Sequence, residues 1–238
     1  IVMVNKLNAL FVICSLFITP IILAQNIEFG VDKGYSLYFG DLTPSGSTFS
    51  FTRSRSVTGY RLGLGNNKGT IYLSYMNTVL AADDKNATSE GRRTRDLNFE
   101  TDISEWGFAA ELNLLSILLK RDTKIQPTFT TGINVSSFKP FTKIGNSLIE
   151  LRPLTIEDNN YNLNQISIPI GIGIRYNAFS KLWIGTGIKA RLTFTDYIDD
   201  VSIRGNSDKD DWYMTTYITI GYKLYSVKRN CIKCPFEY

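Results

Sequence analysis

Residues 166–177 read ISIPIGIGIRYN, with isoleucine at every second position from Ile166 to Ile174 and Ser167, Pro169, Gly171 and Gly173 between them. Successive side chains of a strand point to opposite faces, so an alternation this strict is a strand with one greasy face. An ordinary core and a lipid bilayer would both accept five isoleucines. Which of the two they touch decides what kind of protein this is.

The same period recurs along the chain. About eight alternating runs can be read, near Asn26 to Asp41, Val57 to Gly65, Thr70 to Thr78, Thr101 to Ser116, Ile125 to Phe138, Gln165 to Asn177, Leu182 to Tyr197 and Trp212 to Tyr225, and no helical periodicity of useful length lies between them. Several exceed the five or six residues of a common globular strand and suit a tilted membrane crossing of about ten. The connections alternate too. Those after the second, fourth and sixth runs are short (NNKG, ILLKRDTK, NAFSK), whereas those after the first, third, fifth and seventh are long and polar. An up-and-down barrel in an outer membrane has this asymmetry, with tight periplasmic turns at one end and longer extracellular loops at the other.

The second face of the runs settles the question by cost. Opposite the apolar positions stand Arg61, Glu105, Glu111, Arg175, Lys189 and Arg191, interspersed with glycines. The lumen of an eight-stranded barrel is just wide enough to be filled by side chains, and a lone charge there costs several kcal/mol unless paired. Both signs are present, so these six are expected to form a charge network in the lumen, with the glycines making room. The isoleucines are then expected to face lipid, with Trp and Tyr near the run ends supplying interface girdles. The expected fold is all-β, an eight-stranded antiparallel up-and-down transmembrane barrel in the outer membrane.

Composition closes other routes. Histidine is absent from the 238 residues. That removes His-based acid–base chemistry, the Ser-His-Asp and Cys-His pairs and imidazole metal ligands. Only carboxylates such as Asp196 and Asp199 remain as bases, and no serine partner accompanies them, so no catalytic, cofactor or metal residue is assigned and no enzyme or small-molecule substrate is expected. A net charge of +4 spread along the chain gives no nucleic-acid patch. The apolar run LFVICSLFITPIILA after Lys6 reads as a signal peptide over residues 1–24, shorter than a membrane anchor and interrupted by Pro20. The barrel is then expected over 25–226 and a periplasmic tail over 227–238.

Cys231 and Cys234 lie in that tail, where export makes a local or partner-directed disulfide the plain reading, ahead of redox work or free thiols. Asp196, Asp199, Asp200, Asp208, Asp210 and Asp211 gather around one loop and invite comparison with calcium sites, but their spacing matches no known calcium loop. Arg92, Arg93 and Arg95, and Arg53 with Arg55, suit lipopolysaccharide phosphates or a solvated loop equally well. The glycines of GIGIRYN share one strand face with no helix following, which reads as lumen spacing and not as a phosphate loop.

Four segments, GYSLYFGDL, RDLNFETDI, LRPLTIEDNNYNLNQISIPIGIGIRYN and LTFTDYIDDVS, taken in this order, resemble the small outer-membrane barrel of the Bacteroidota type IX (Por) secretion system and its barrel relatives. The resemblance runs through nearly all of the chain after the leader. It implies an anchor or assembly component, not the protein-conducting pore, that associates with a periplasmic ring lipoprotein and its partner protein in machinery that exports cargo and in some members supports gliding. An orphan barrel with a structural or adhesion role in the envelope is the alternative. No ring-contacting residue can be matched by motif.

Overall fold

The computed structural model describes residues 26–39, 54–83, 97–144, 162–195 and 211–226, together with Glu90, Thr94 and Ile198. Eight strands follow one another round a closed antiparallel barrel: β1 (Asn26–Phe39), β2 (Arg55–Asn66), β3 (Gly69–Asp83), β4 (Leu97–Asn113), β5 (Ile125–Ile144), β6 (Asn164–Tyr176), β7 (Leu182–Thr193) and β8 (Trp212–Ser226), with β8 pairing back onto β1. A short helix, α1 (Leu114–Leu118), sits in the connection from β4 to β5. The fourth run was expected to continue through Ser116; instead the unbroken apolar stretch LLSIL, which has no alternation, turns helical. Among the described residues no helix is long and apolar enough to cross a membrane. The strands do the crossing.

The register fixes the wall. Followed from neighbour to neighbour, the row Ile27, Leu64, Ile71, Ala110, Thr131, Ile170, Ala190, Met214 returns to β1 at Leu37, ten positions beyond its start. Eight strands with that stagger tilt by about 40° from the barrel axis. At that tilt each step between outward-facing positions rises by about 5 Å along the axis.

The isoleucines are outside. Ile166, Ile170, Ile172 and Ile174 are exposed, while Ser167, Pro169, Gly171 and Arg175 between them are buried. The same sorting holds on β7, where Ile184, Ile188 and Leu192 oppose buried Lys189 and Arg191. One proline interrupts the ladder: β5 pairs with β6 through Thr131 and Ile170, then only again through Asn134 and Ser167. Pro169 has no N–H to give, and its pairing to Arg191 on β7 is unbroken, so the missing bond falls on the β5 side alone.

Above the membrane the strands run further than alternation indicated, β3 to Asp83, β4 from Leu97 and β5 to Ile144. Their sidedness reverses there. Val57, Met76, Leu80, Ile103 and Phe138 now point inward and are buried, whereas Ser56, Asn77, Ser104 and Ser137 point outward and are exposed. These inward residues form an apolar cluster with Tyr38, Phe99, Tyr213 and Ile198. Ile198 comes from the β7–β8 connection and is held there by Thr101 Oγ1, which donates to its carbonyl at 2.6 Å, and by its own N–H to Asp211 Oδ2 at 3.2 Å.

Ile172 lies near mid-depth of the lipid-facing belt. Ile172→Arg is expected to destabilise the folded barrel by about 2–4 kcal/mol, measured by reversible urea unfolding in lipid vesicles. Equal stability of the variant would show that this face does not meet hydrocarbon.

Candidate functional site: the packed barrel interior

Inward positions of all eight strands converge on one column. Its lower part, toward the short turns, is ionic. Arg175 on β6 reaches Glu28 on β1 at 2.7 Å and Glu111 on β4 at 3.5 Å; Arg61 on β2 reaches the same Glu111 at 3.2 Å and Asp32 on β1 at 2.7 Å. The result is a continuous chain, Glu28–Arg175–Glu111–Arg61–Asp32, with three carboxylates and two guanidiniums. Thr219 Oγ1 donates to Asp32 Oδ1 at 2.6 Å and closes it against β8.

Higher up, Arg191 on β7 faces Glu105 on β4 at 3.2 Å. Tyr213 donates its hydroxyl to Glu105 Oε2 at 2.7 Å, and Arg191 also bonds Thr215. Between the two ionic groups stands Lys189. It makes no ion pair among the described residues; its ammonium donates to the Tyr72 hydroxyl at 3.2 Å and lies 4.4 Å from the centroid of the Tyr217 ring. The ionic stack itself balances. Four cations, Arg61, Arg175, Lys189 and Arg191, meet four carboxylates, Glu28, Asp32, Glu105 and Glu111, with Lys223 of β8 beside Glu28 at the short-turn mouth and Asp211 in the apolar cap at the other end. The lone positive charge of Lys189 offsets the extra carboxylate of the five-membered chain below it.

Aromatic faces complete the filling. Trp183 is buried inside the barrel, with the Arg175 guanidinium 4.0 Å from its ring centroid, and Tyr72 lies beneath Arg61 at 5.0 Å. Desolvated cation–π contacts of this sort contribute about 2 kcal/mol. The expectation that Trp and Tyr would serve as interface girdles therefore needs correcting for five residues: Tyr38, Tyr72, Trp183, Tyr213 and Tyr217 turn inward. Each keeps the phase of the charged face, two positions from an inward residue, which is the signal that could have found them. Tyr60, Tyr75 and Trp106 do lie on the lipid side, in one cross-strand row.

Little space is left. A void lined by Glu28, Arg61, Tyr72, Glu111, Arg175 and Trp183 measures about 10 Å³, room for about one water. Above the ionic column the apolar cluster around Leu80, Phe99 and Phe138 closes the tube.

All six residues expected in the lumen network lie on the inward face and are buried. Glu28 and Asp32 belong with them and were missed, although the alternation of Ile27, Phe29 and Val31 against Glu28, Gly30 and Asp32 carries the signal. Asp211, part of the aspartate-rich loop, is buried and accepts a hydrogen bond from the Tyr38 hydroxyl at 2.5 Å as well as from Ile198 N–H, so its carboxylate is engaged inside the protein. Asp196, Asp199, Asp200, Asp208 and Asp210 lie outside the described residues, as do Cys231, Cys234, Arg53, Arg92, Arg93, Arg95 and the expected signal peptide. Arg55 pairs with Glu100 at 2.6 Å. Among the described residues no group of His, Cys, Asp or Glu has the arrangement of a metal site.

Glu111 alone answers two buried arginines. Glu111→Gln is expected to lower unfolding free energy by about 3–5 kcal/mol, because both guanidiniums lose a charged partner they cannot replace from water. Gly221→Val should be comparably disruptive, since even a Cβ there would lie 2.0 Å from the Trp183 ring. Both effects are read as a fall in the temperature at which the compact, fast-migrating form is lost in unboiled gel samples, and unchanged temperatures would refute the ionic column as a stabilising element.

The apolar exterior, charged interior and closed hydrogen-bonded wall make this an integral outer-membrane β-barrel. Neisserial surface protein A (NspA) shares the fold at a TM-score of 0.50 and 10% identity, over 84% of this chain and 98% of that one. OprG from Pseudomonas aeruginosa aligns at 0.43 and 9% identity, over 85% of this chain and 98% of its own. Ail of Yersinia pestis, in complex with the heparin analogue sucrose octasulfate, aligns at 0.42 and 12%, over 83% and 98%. No curated protein matches the sequence significantly. The family model described as a domain of unknown function, DUF6089, matches residues 6–234, nearly the whole sequence, and the chain belongs to that family.

Proposed function

We propose that the protein is a non-enzymatic, non-conducting barrel that serves as a structural anchor in the outer membrane, and that the assembly it anchors is a type IX secretion machine. The observation that carries the first part is the filled column: among the described residues, a charge-balanced ionic stack closed above by an apolar cluster leaves no continuous path for ions or solutes. The absence of histidine supports the non-enzymatic reading, since it removes the commonest general base. The second part rests on the resemblance of four ordered segments to the Por-system barrel, which implies contact with a periplasmic ring lipoprotein and its partner protein. A barrel that neither conducts nor catalyses can still hold a periplasmic assembly at the membrane. Its short turns give that side a compact, well-tied surface, where Asn113 donates to the Asn67 carbonyl at 2.7 Å and Asn67 to Asp122 at 2.9 Å.

Two measurements test the two parts separately. In planar bilayers the reconstituted barrel is expected to give no steady ion current, and a stable conductance would overturn the sealed-column reading. Affinity capture of the full chain from detergent-extracted envelopes is expected to bring the ring lipoprotein and its partner with it. A barrel recovered alone would favour the orphan role in the envelope.

A further inference from the structure

The short-turn end carries an apolar patch that neither the sealed column nor the wall requires. Leu118 (74% exposed), Phe179 (72%) and Leu119 (66%) are the most exposed large apolar side chains among the described residues, ahead of every one on the lipid-facing wall. All three lie in short connections, Leu118 at the end of α1, Leu119 just after it and Phe179 between β6 and β7. The two connections touch: Asn177 N–H, just past β6, donates to the carbonyl of Lys124, just before β5, at 2.8 Å. Side chains of this size are unfavourable in water, and three together mark a surface that is covered.

Cations follow each apolar group. Lys120 and Arg121 come directly after Leu119, and Lys181 comes after Phe179 and Ser180. Lys120 adopts φ +50°, in the left-handed region that favours glycine, so the chain leaves α1 through a sharp turn made at a charged residue. The three short turns together hold five exposed cations, Lys68, Lys120, Arg121, Lys124 and Lys181, against one carboxylate, Asp122. Asp122 is already engaged by Asn67 Nδ2 and Ser116 Oγ, both at 2.9 Å. None of the five cations has an ion-pair partner among the described residues. The wall above indicates what covers the patch. Ile125 at the foot of β5 and Tyr176 at the foot of β6 face outward and are exposed, so the lipid-facing surface runs without a polar break into both turns. Apolar side chains at that boundary with cations just beyond are the pattern of a segment lying in a membrane interface, where the carbons enter the acyl region and the charges meet headgroups. A folded protein seated there would have to displace lipid from a surface continuous with the barrel wall.

We propose that this sector of the periplasmic rim is a membrane foot that binds anionic phospholipid of the inner leaflet: Leu118, Leu119 and Phe179 enter the acyl boundary, and Lys120, Arg121 and Lys181 hold the phosphates. Attraction to anionic headgroups adds to apolar insertion, so the two sets of residues act together. The third short turn, NNKG at residues 66–69, has a cation but no apolar residue and lies outside the foot. A one-sided foot fixes the depth of the barrel at β4–β7 and leaves the β2–β3 turn facing the periplasm. The inference depends on the barrel's place in the membrane and not on its role as an anchor.

Native mass spectrometry of the full barrel in dodecyl maltoside tests it, with phosphatidylglycerol, phosphatidylcholine and inorganic phosphate as separate probes. Phosphatidylglycerol is expected to be retained, with retention at least about tenfold weaker for phosphatidylcholine and for the double variant Lys120→Gly with Arg121→Gln. Leu118→Ser with Leu119→Ser should weaken retention of both lipids. Lys120→Gly suits the left-handed backbone and the other three positions are exposed, so the fold should persist, and a retained compact form in unboiled gels verifies that. Lys68→Gln, in the turn outside the foot, should retain phosphatidylglycerol unchanged. Equal retention of the two lipids, undiminished retention by either double variant, a loss as large in Lys68→Gln, inorganic phosphate binding as tightly as phosphatidylglycerol, or a photocrosslinker at position 119 capturing a protein chain instead of lipid in native envelopes would each overturn the proposal.

Discussion

Closure of the wall is the constraint on which the rest depends. In hydrocarbon every backbone N–H and C=O must find a partner within the protein, and a sheet achieves this only by joining its last strand to its first. Here β8 meets β1 along nearly its whole length, with a single register shift at Ile27 and Glu28. Eight strands and a stagger of ten positions then set the radius. The radius sets what the interior can be: too narrow for a water channel, too wide to be left to aliphatic side chains from opposite walls. Long Arg, Lys and Glu side chains, with glycines opposite them, fill that width. Gly171 shows the fit, because a Cβ there would lie 2.7 Å from the Lys189 side chain that crosses in front of it.

A charged filling is stable only if its charges are paired, and the column achieves this by sharing, leaving Arg61 Nε and Trp183 Nε1 without a hydrogen-bond partner among the described residues. Glu111 serves two arginines, one on each oxygen, and Glu105 accepts from Arg191 and Tyr213, so each of these carboxylates answers more than one partner. Lys189 has aromatic oxygen and aromatic faces where a carboxylate would be expected. Breaking any link strands a partner in low dielectric, which is why the interior behaves as one unit and not as a set of independent pairs.

Which face a side chain takes was legible in the sequence; how high it sits was not. Period two assigns Arg175 and Glu28 to the same side of their strands, but their contact at 2.7 Å spans 147 positions and depends on the stagger accumulated round the wall. No local pattern encodes that stagger. The ends of the strands were also obscure, because β3, β4 and β5 continue above the bilayer, where apolar and polar residues exchange faces and the alternation read from below loses its phase meaning. The turn at α1 was hidden for the opposite reason: LLSIL is apolar throughout and carries no period to read.

The exchange of faces has a physical cause that links the inside of the barrel to the outside. Within the bilayer the cheap place for apolar side chains is the exterior, and the interior must take the polar ones. Past the aromatic row of Tyr60, Tyr75 and Trp106 the exterior meets headgroups and water, and the hydrophobic effect then favours the opposite sorting. Val57, Met76 and Ile103 accordingly turn in, one residue along their strands from Thr58, Asn77 and Ser104, which turn out. The same strands thus build a membrane barrel with an ionic core and, on top of it, a water-facing barrel with an apolar one. The level at which β2, β3 and β4 switch marks the membrane surface from within the fold.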